Sequence, residues 1–322
     1  MSLAQEFDAT VTVRASAKIN LYLGVGRPRP DGFHPLATVY QAVSLHDDVT
    51  VRAASEWSVD VGMPDLDTVG GMQVPTGPDN IAVRAGAALV AHHRLDTAAA
   101  LAIHKSIPVA AGMAGGSADA AATLVALDRL WDLQTPDDEL LALAAELGSD
   151  VPFALLGGTA EGTGRGEQLQ PLHEPHTRWW VVVPSAQGLS TPAVYRHFDE
   201  LRPDAPEEVA VPGPVLTALS DPDPGSLARV LHNDLEDAAL DLRPELAHVL
   251  RRGAEAGALR GMVSGSGPTC VFLCADRPAA DAVRADFVEG GYDGVRTALG
   301  PVAGVHLVEQ GPRPGGGLES VD

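Results

Sequence analysis

Gly112-Met113-Ala114-Gly115-Gly116-Ser117 is a run of small residues set ahead of an alanine-rich stretch with helical periodicity. Small residues let backbone N–H groups close on a phosphate, and the positive end of the following helix favours the anion's charge. Glycine-rich strand-to-helix connections are also ordinary, so this loop alone leaves both readings open. Its spacing matches neither G-x-x-x-x-G-K-[ST] nor G-x-G-x-x-G, so neither a P-loop nor a dinucleotide fingerprint is present.

Of 22 basic residues only Lys18 and Lys105 are lysine. Where arginine supplies almost all the positive charge, a retained lysine points to a need for a compact ammonium or a tunable pKa, against the alternative of composition alone. Asn20 lies two residues from Lys18, on the same face of an extended segment. Asp150 follows the expected end of a helix, where the dipole disfavours a carboxylate unless it has a partner or a task; an ordinary turn aspartate is the alternative. Phe33-His34, after the tight turn at Asp31-Gly32, offers a ring face and a polar reader, the combination that recognises a nucleobase, or else a core plug beside an exposed histidine. Tyr195 reads as an aromatic platform, with domain packing as the alternative. Gly265-Ser266-Gly267 permits close backbone approach to a ligand, or is simply a tight turn.

The elements that must hold these residues follow from pattern. VTVRASAKINLYLGV alternates strictly, placing Val11 to Val25 at odd positions on a core face and Arg14, Ser16, Lys18, Asn20 and Tyr22 on the other. Further strands are expected at 37–44 and 48–53, a loop over 62–79, and a helix from Asn80 to His92. The helix from Ser117 carries an inward stripe of Ala120, Leu124, Leu127 and Trp131. A second starts at Thr135-Pro136 and stops at Gly148. WWVVVP is a buried strand, 226–260 is mostly helical, and TCVFLC and GPVAGVHLVE are the late strands.

A chain of 322 residues is long enough for two domains, expected at 10–170 and 171–310, with a disordered tail at 311–322. The formal net charge of −21 repels nucleic acid and anionic membranes, so a phosphate ligand needs positive potential supplied locally. Two cysteines, Cys270 and Cys274, make no disulfide framework, and no segment reads as a signal peptide or a membrane span. A cytoplasmic protein is expected.

Taken together, AKINLYLGVGRPRPDGFHPL, PDNIAVRA, IPVAAGMAGGSADAA, GSDVPFALLGGTAEGTGRGEQL, STPAVY and SGSGPTC resemble, in order, the kinases of 4-diphosphocytidyl-2-C-methyl-D-erythritol, within the superfamily of galactokinase, homoserine kinase and mevalonate kinase (GHMP). The resemblance implies an α+β, two-domain fold. Its N-terminal domain is β-rich with a left-handed βαβ-type phosphate-loop unit, its C-terminal domain is ferredoxin-like, and the active site lies in the cleft between them. It implies ATP as phosphoryl donor, Mg²⁺, and a small cytidine diphosphate-linked substrate. The oligomeric state stays open between monomer and weak dimer.

By matching position, Lys18 and Asp150 are the implied catalytic pair, Asp150 as general base and Lys18 as its electrostatic partner. Ala111 to Ser117 match the ATP phosphate loop, with Pro108 ahead of it and Asn80 and Lys105 lining the nucleotide site. Ser117 matches a loop serine that reaches Mg²⁺ in related kinases. Asn20, Phe33, His34, Thr191, Tyr195, Gly265, Ser266 and Gly267 match the substrate side, with cytosine between Phe33 and Tyr195. The family's loop has Gly at the position of Ala114 and Ser at that of Ala118. If position 114 needs positive φ, alanine costs on the order of 1 kcal/mol, so either the backbone there is not left-handed or the loop is adjusted. Another GHMP kinase, or a non-catalytic module of this fold, are the competing readings.

Overall fold

A computed structural model describes residues 9–62, 74–109, 111–185 and 187–310. The loop expected at 62–79 lies largely outside these residues, and the tail from Gly311 wholly so.

Strand β1 (Thr10–Val25) realises the alternation: every odd residue from Val11 to Val25 is buried. Its polar face is covered too, so Ser16, Lys18 and Asn20 are also buried. Strand β1 pairs antiparallel with β2 (Leu36–Ala54) along its whole length, with register shifts after Ser16 and beside Asn20 that bend the strand and re-aim its polar side chains. The two short strands expected at 37–44 and 48–53 are therefore one. His46-Asp47-Asp48 does not break it, because Asp48 takes Arg14 of β1 in a two-pronged ion pair (2.7 and 2.8 Å) and Asp47 faces inward to donors described below.

Next come β3 (Ser58–Gly62), α1 (Ile81–His93) and β4 (Ala98–His104); β4 pairs parallel to β3 and antiparallel to β2. Then follow α2 (Gly115–Trp131), α3 (Asp137–Leu147), α4 (Val151–Leu156), β5 (Thr159–Thr163) and β6 (Gln168–Leu172). Helix α2 lies on β1 and β2 through the expected stripe: Ala120, Leu124 and Leu127 are fully buried and Trp131 packs edge-on against Trp57. Each buried leucine contributes roughly 1.5–3 kcal/mol, which fixes the direction in which the helix's N-terminus points. Helix α3 starts one residue after Pro136 and stops at Gly148, as its sequence signals require.

A second sheet, ordered β11-β7-β10-β9, holds β7 (Arg178–Val183), β9 (Arg260–Val263), β10 (Cys270–Cys274) and β11 (Arg296–Gly300); the chain between them forms α5 (Thr191–Leu201), α6 (Gly213–Leu219), α7 (Pro224–Ala228), α8 (Glu236–Leu242), α9 (Leu246–Glu255) and α10 (Arg277–Glu289), and the short β8 (His232–Asn233) pairs parallel with Tyr22 and Leu23 of β1 in the first sheet. Both cysteines are buried and unpaired on β10. The final strand, β12 (His306–Gln310), does not extend this sheet: it returns to pair antiparallel with Val11–Arg14 of β1.

The sheets are joined by a buried polar network. Gln41 of β2 and Thr159 of β5 both donate to one oxygen of Glu174 (2.7 and 2.6 Å), Arg178 of β7 donates to the other (3.2 Å), and Trp180 donates to Gln41 Oε1 (2.8 Å). Arg178 is also spent on the carbonyls of Ala218, Leu219 and Asp221, so the buried charge is matched on every side. The last crossing runs through Gly157, where φ is +65° and an added Cβ would lie 1.9 Å from Gly304 N. Gly157→Ala should lower stability by roughly 2 to 5 kcal/mol, the sum of overpacking and left-handed strain, and an unchanged denaturant midpoint would contradict this packing.

Candidate active site

Between the two sheets lies a cleft of about 730 Å³, which brings together residues far apart in sequence: Lys18 and Asn20, Phe33 and His34, the glycine loop, Asp150, Thr191 and Tyr195, Gly265 and Ser266. Strand β1 contributes the first pair. Thr38 donates to the Tyr22 carbonyl (2.7 Å), so its oxygen accepts from the Asn20 amide (2.8 Å); Asn20 must then turn its carbonyl oxygen to Lys18, whose ammonium donates to it at 2.9 Å. That ammonium stands 3.6 Å from Asp150 Oδ2 and 5.6 Å from the centre of the buried Tyr40 ring, itself stacked on Phe153. Burial, then the negative charge of Asp150, raises Tyr40 well above its ordinary pKa; the same two causes raise Tyr195. Both phenols thus face Asp150 as neutral groups.

Asp150 does not face the negative end of a helix dipole, contrary to the expectation from sequence. Gly148 ends α3, but α4 begins at Val151, so Asp150 stands at the start of a helix, where its charge is favoured. Its side chain makes no capping bond and is turned to Lys18 instead. Pro152, in the first turn of α4, was the available signal for that start.

Helix α2 opens without a side-chain cap, leaving first-turn amides for an external acceptor. Gly112, at φ +73°, lies so close to the second sheet that a Cβ would sit 2.1 Å from Ser264 O. The carbonyls of this loop are tied on both sides: Lys18 N–H donates to Met113 O (3.2 Å) and Ser264 Oγ to Gly112 O (3.2 Å). Ala114 has φ 59° and ψ 32°, so the loop does take the left-handed conformation that its alanine resists. Met113 is fully buried beneath it, and Pro108 precedes it in the core.

Several expected site residues stand behind the cleft rather than on it. Lys105 is buried and clasped by Asp47 (2.5 Å) and Asp119 (2.7 Å), while the second oxygen of Asp47 accepts the backbone N–H groups of Ser106 and Ile107. It does not line the cleft. A Cβ on Gly115 would lie 3.5 Å from its ammonium, so Lys105 shapes the loop from beneath. Burial opposes its charge, but Asp119 and Asp47 outweigh burial and raise its pKa; burial likewise pushes the Asp119 carboxyl up. Asn80 caps α1, accepting from Ala82 N (2.8 Å) and donating to Pro75 O (2.7 Å), and its neighbour Ile81 reaches the cleft in its place. Gly267 also stands off the cleft, holding the turn through its N–H to Ser264 O (2.8 Å).

That turn reaches Lys18 and Asn20 through Gly265, where a Cβ would meet Asn20 Oδ1 at 3.4 Å and Lys18 Nζ at 3.5 Å. Ser266 shares a hydroxyl contact of 2.8 Å with Thr191. At the opposite end Phe33 is 49% exposed, with the Arg165 guanidinium 4.9 Å from its ring centre. Phe33 and Tyr195 both border the cleft, and it is His34 whose ring packs on Tyr195, at 4.8 Å and 41°. Arg165, Asp199, Tyr40 and Thr38 were not foreseen; Asp199 was discoverable as the i+4 neighbour of Tyr195 on α5.

Two sheets joined across a cleft, with a glycine loop opening a helix opposite a lysine–carboxylate pair, are the architecture of GHMP kinases. The family model for the GHMP kinases N terminal domain matches residues 80–158, and that for the GHMP kinases C terminal domain matches 215–293. A 4-diphosphocytidyl-2-C-methyl-D-erythritol kinase of Nocardioides sp. is 62% identical over 92% of this chain and 99% of its own length. One from Mycolicibacterium smegmatis is 50% identical over 95% of this chain and 96% of its own. A crystal structure of 4-(cytidine 5'-diphospho)-2C-methyl-D-erythritol kinase superposes with a TM-score of 0.71 at 32% identity, covering 90% of this chain and 99% of that one. The chain belongs to the family of 4-diphosphocytidyl-2-C-methyl-D-erythritol kinases.

Left-handed alanine costs ~1 to 2 kcal/mol, and glycine gives back ~0.4 to 1 through the unfolded chain. Ala114→Gly should therefore stabilise the protein by up to about 1.5 kcal/mol. A lower melting temperature would contradict the strain at this position.

Proposed function

We propose that this chain is an ATP-dependent kinase acting on the 2-hydroxyl of 4-diphosphocytidyl-2-C-methyl-D-erythritol. The observation that carries the proposal is the position of Lys18 and Asp150: both border one cleft with the uncapped start of α2 and the Phe33–His34–Tyr195 cluster. A donor phosphate at the loop and a base held by the aromatic cluster would put the atoms between them at the catalytic pair. The kinase relatives, similar over nearly the whole chain, support the same reading.

Asp150 accepts the hydroxyl proton as the substrate oxygen bonds to the γ-phosphorus. The bond from that phosphorus to the β,γ-bridging oxygen breaks, its electron pair leaves with ADP, and the proton is later released to solvent. Lys18, held by Asn20, faces the Asp150 carboxylate and offsets charge on the transferring group. Tyr40 and Tyr195, both held neutral, border the cleft beside that carboxylate without competing for the proton. Mg²⁺ would neutralise charge on the phosphates. The Ser117 hydroxyl, which borders the cleft within the loop, would serve as a protein ligand for it. Among the described residues no helix is long and apolar enough to cross a membrane.

Asp150→Asn should lower kcat by ~10² to 10⁴ while ATP still binds, and near-normal turnover would remove the general-base role. Phe33→Ala should raise KM for the cytidyl substrate roughly 5- to 150-fold, the worth of one base-stacking ring, with a smaller effect on kcat and none on KM for ATP. A panel of alcohols with and without a cytidine diphosphate group tests the substrate: comparable kcat/KM on homoserine or mevalonate would overturn it.

A further inference from the structure

Stacking accepts any base, so the aromatic cluster by itself does not choose cytosine over uracil. The two differ at C4, where cytosine carries an amino donor and uracil a carbonyl acceptor. His34 is the polar group of the cluster, and its side chain is only 8% exposed although it borders the cleft, so one edge of the ring is presented.

The other edge is engaged. His34 Nε2 lies 2.8 Å from Asp199 Oδ1. A carboxylate only accepts, so Nε2 carries a hydrogen. Asp199 and Tyr195 stand four residues apart on α5 and therefore share a face; one bonds the imidazole and the other packs against it, while Phe198 meets it edge-on at 6.3 Å. Rotation of the ring is blocked by these contacts. Among the described residues Nδ1 has no hydrogen-bond partner. In the neutral ring, a hydrogen fixed on Nε2 makes Nδ1 an acceptor.

We infer that Asp199 is a positioning residue for base selection: by holding the His34 Nε2–H, it leaves Nδ1 as an acceptor for the exocyclic amine of cytosine and sets it against the O4 carbonyl of uracil. The inference rests on the reading of Phe33, His34 and Tyr195 as the base site.

Asp199→Asn tests it, because an amide can donate to Nε2 and drive the ring hydrogen to Nδ1, converting the reader from acceptor to donor. The ratio of kcat/KM for cytidyl over uridyl substrate should fall roughly tenfold or more, as expected when a hydrogen bond is replaced by an unmatched pair, with the change in KM. Asp199→Glu, which keeps the carboxylate, should recover part of the ratio. Long-range ¹H–¹⁵N spectra should show the His34 hydrogen on Nε2 in the wild type and on Nδ1 in Asp199→Asn. Equal rises in KM for both substrates, an unchanged ratio, or a wild-type hydrogen on Nδ1 would each overturn the proposal, the last without any variant having to fold. Phe33→Ala separates the two claims: a flat KM there removes the base site and this inference with it, whereas a raised KM beside an unchanged ratio in Asp199→Asn removes only the role of Asp199.

Discussion

A chain with a formal net charge of −21 must hold two phosphate-bearing reactants side by side, and this constraint orders the whole site. Long-range attraction is not available to it. Positive potential is instead built from parts that act over a few ångströms: the uncapped amides at the start of α2, the Lys18 ammonium, and the Arg165 guanidinium over Phe33. The single backbone bond from Lys18 N–H to Met113 O sets the first two relative to each other, because it ties β1 directly to the loop. A compact ammonium suits that position, where it must meet Asn20 and Asp150 in a nearly closed space; a planar guanidinium would not fit the same contacts.

Such a local device works only on a rigid frame. The loop is braced from below by Lys105 with Asp47 and Asp119, and from the side by Ser264, whose approach Gly112 permits. Gly265 brings the second sheet to within ordinary contact of Lys18 and Asn20, and Asn233 holds that turn through the carbonyls of Val263 and Gly265 (both 2.8 Å). Farther out, Glu174 and Arg178 lock β2, β5 and β7 together. Both walls of the cleft are thus tied by buried hydrogen-bonded polar groups, whose disruption costs more than a surface bond would; only Asp119 Oδ1 among these braces lacks a partner among the described residues.

What was legible in the sequence was local. Period-two alternation put Lys18 and Asn20 on one face of β1, the stripe from Ala120 to Trp131 oriented α2, and Gly148 marked the end of α3. The question raised by Ala114 was also local, and its φ of 59° answers it. What escaped was decided by partners distant in sequence. Lys105 turned inward because Asp47, 58 residues away, and Asp119 compensate its charge, and no single-segment pattern reveals that. Strand β2 runs unbroken through three polar residues because Arg14 waits on the neighbouring strand. The return of β12 to β1 and the pairing of His34 with Asp199, 165 residues on, are likewise products of topology.

In the proposed reaction Lys18 and Asp150 stand where a phosphoryl group passes from the loop to the substrate hydroxyl, with the substrate's base held at Phe33 and Tyr195. The most direct measurement is the distance from Asp150 Oδ to the acceptor oxygen in a ternary complex with a non-hydrolysable ATP analogue and the cytidyl substrate. A 2-hydroxyl within about 2.6–3.2 Å of Asp150, with the γ-phosphate at the start of α2, is the predicted result. A substrate bound with its cytosine at the glycine loop, or with that hydroxyl beyond reach of Asp150 even through one water, would contradict it.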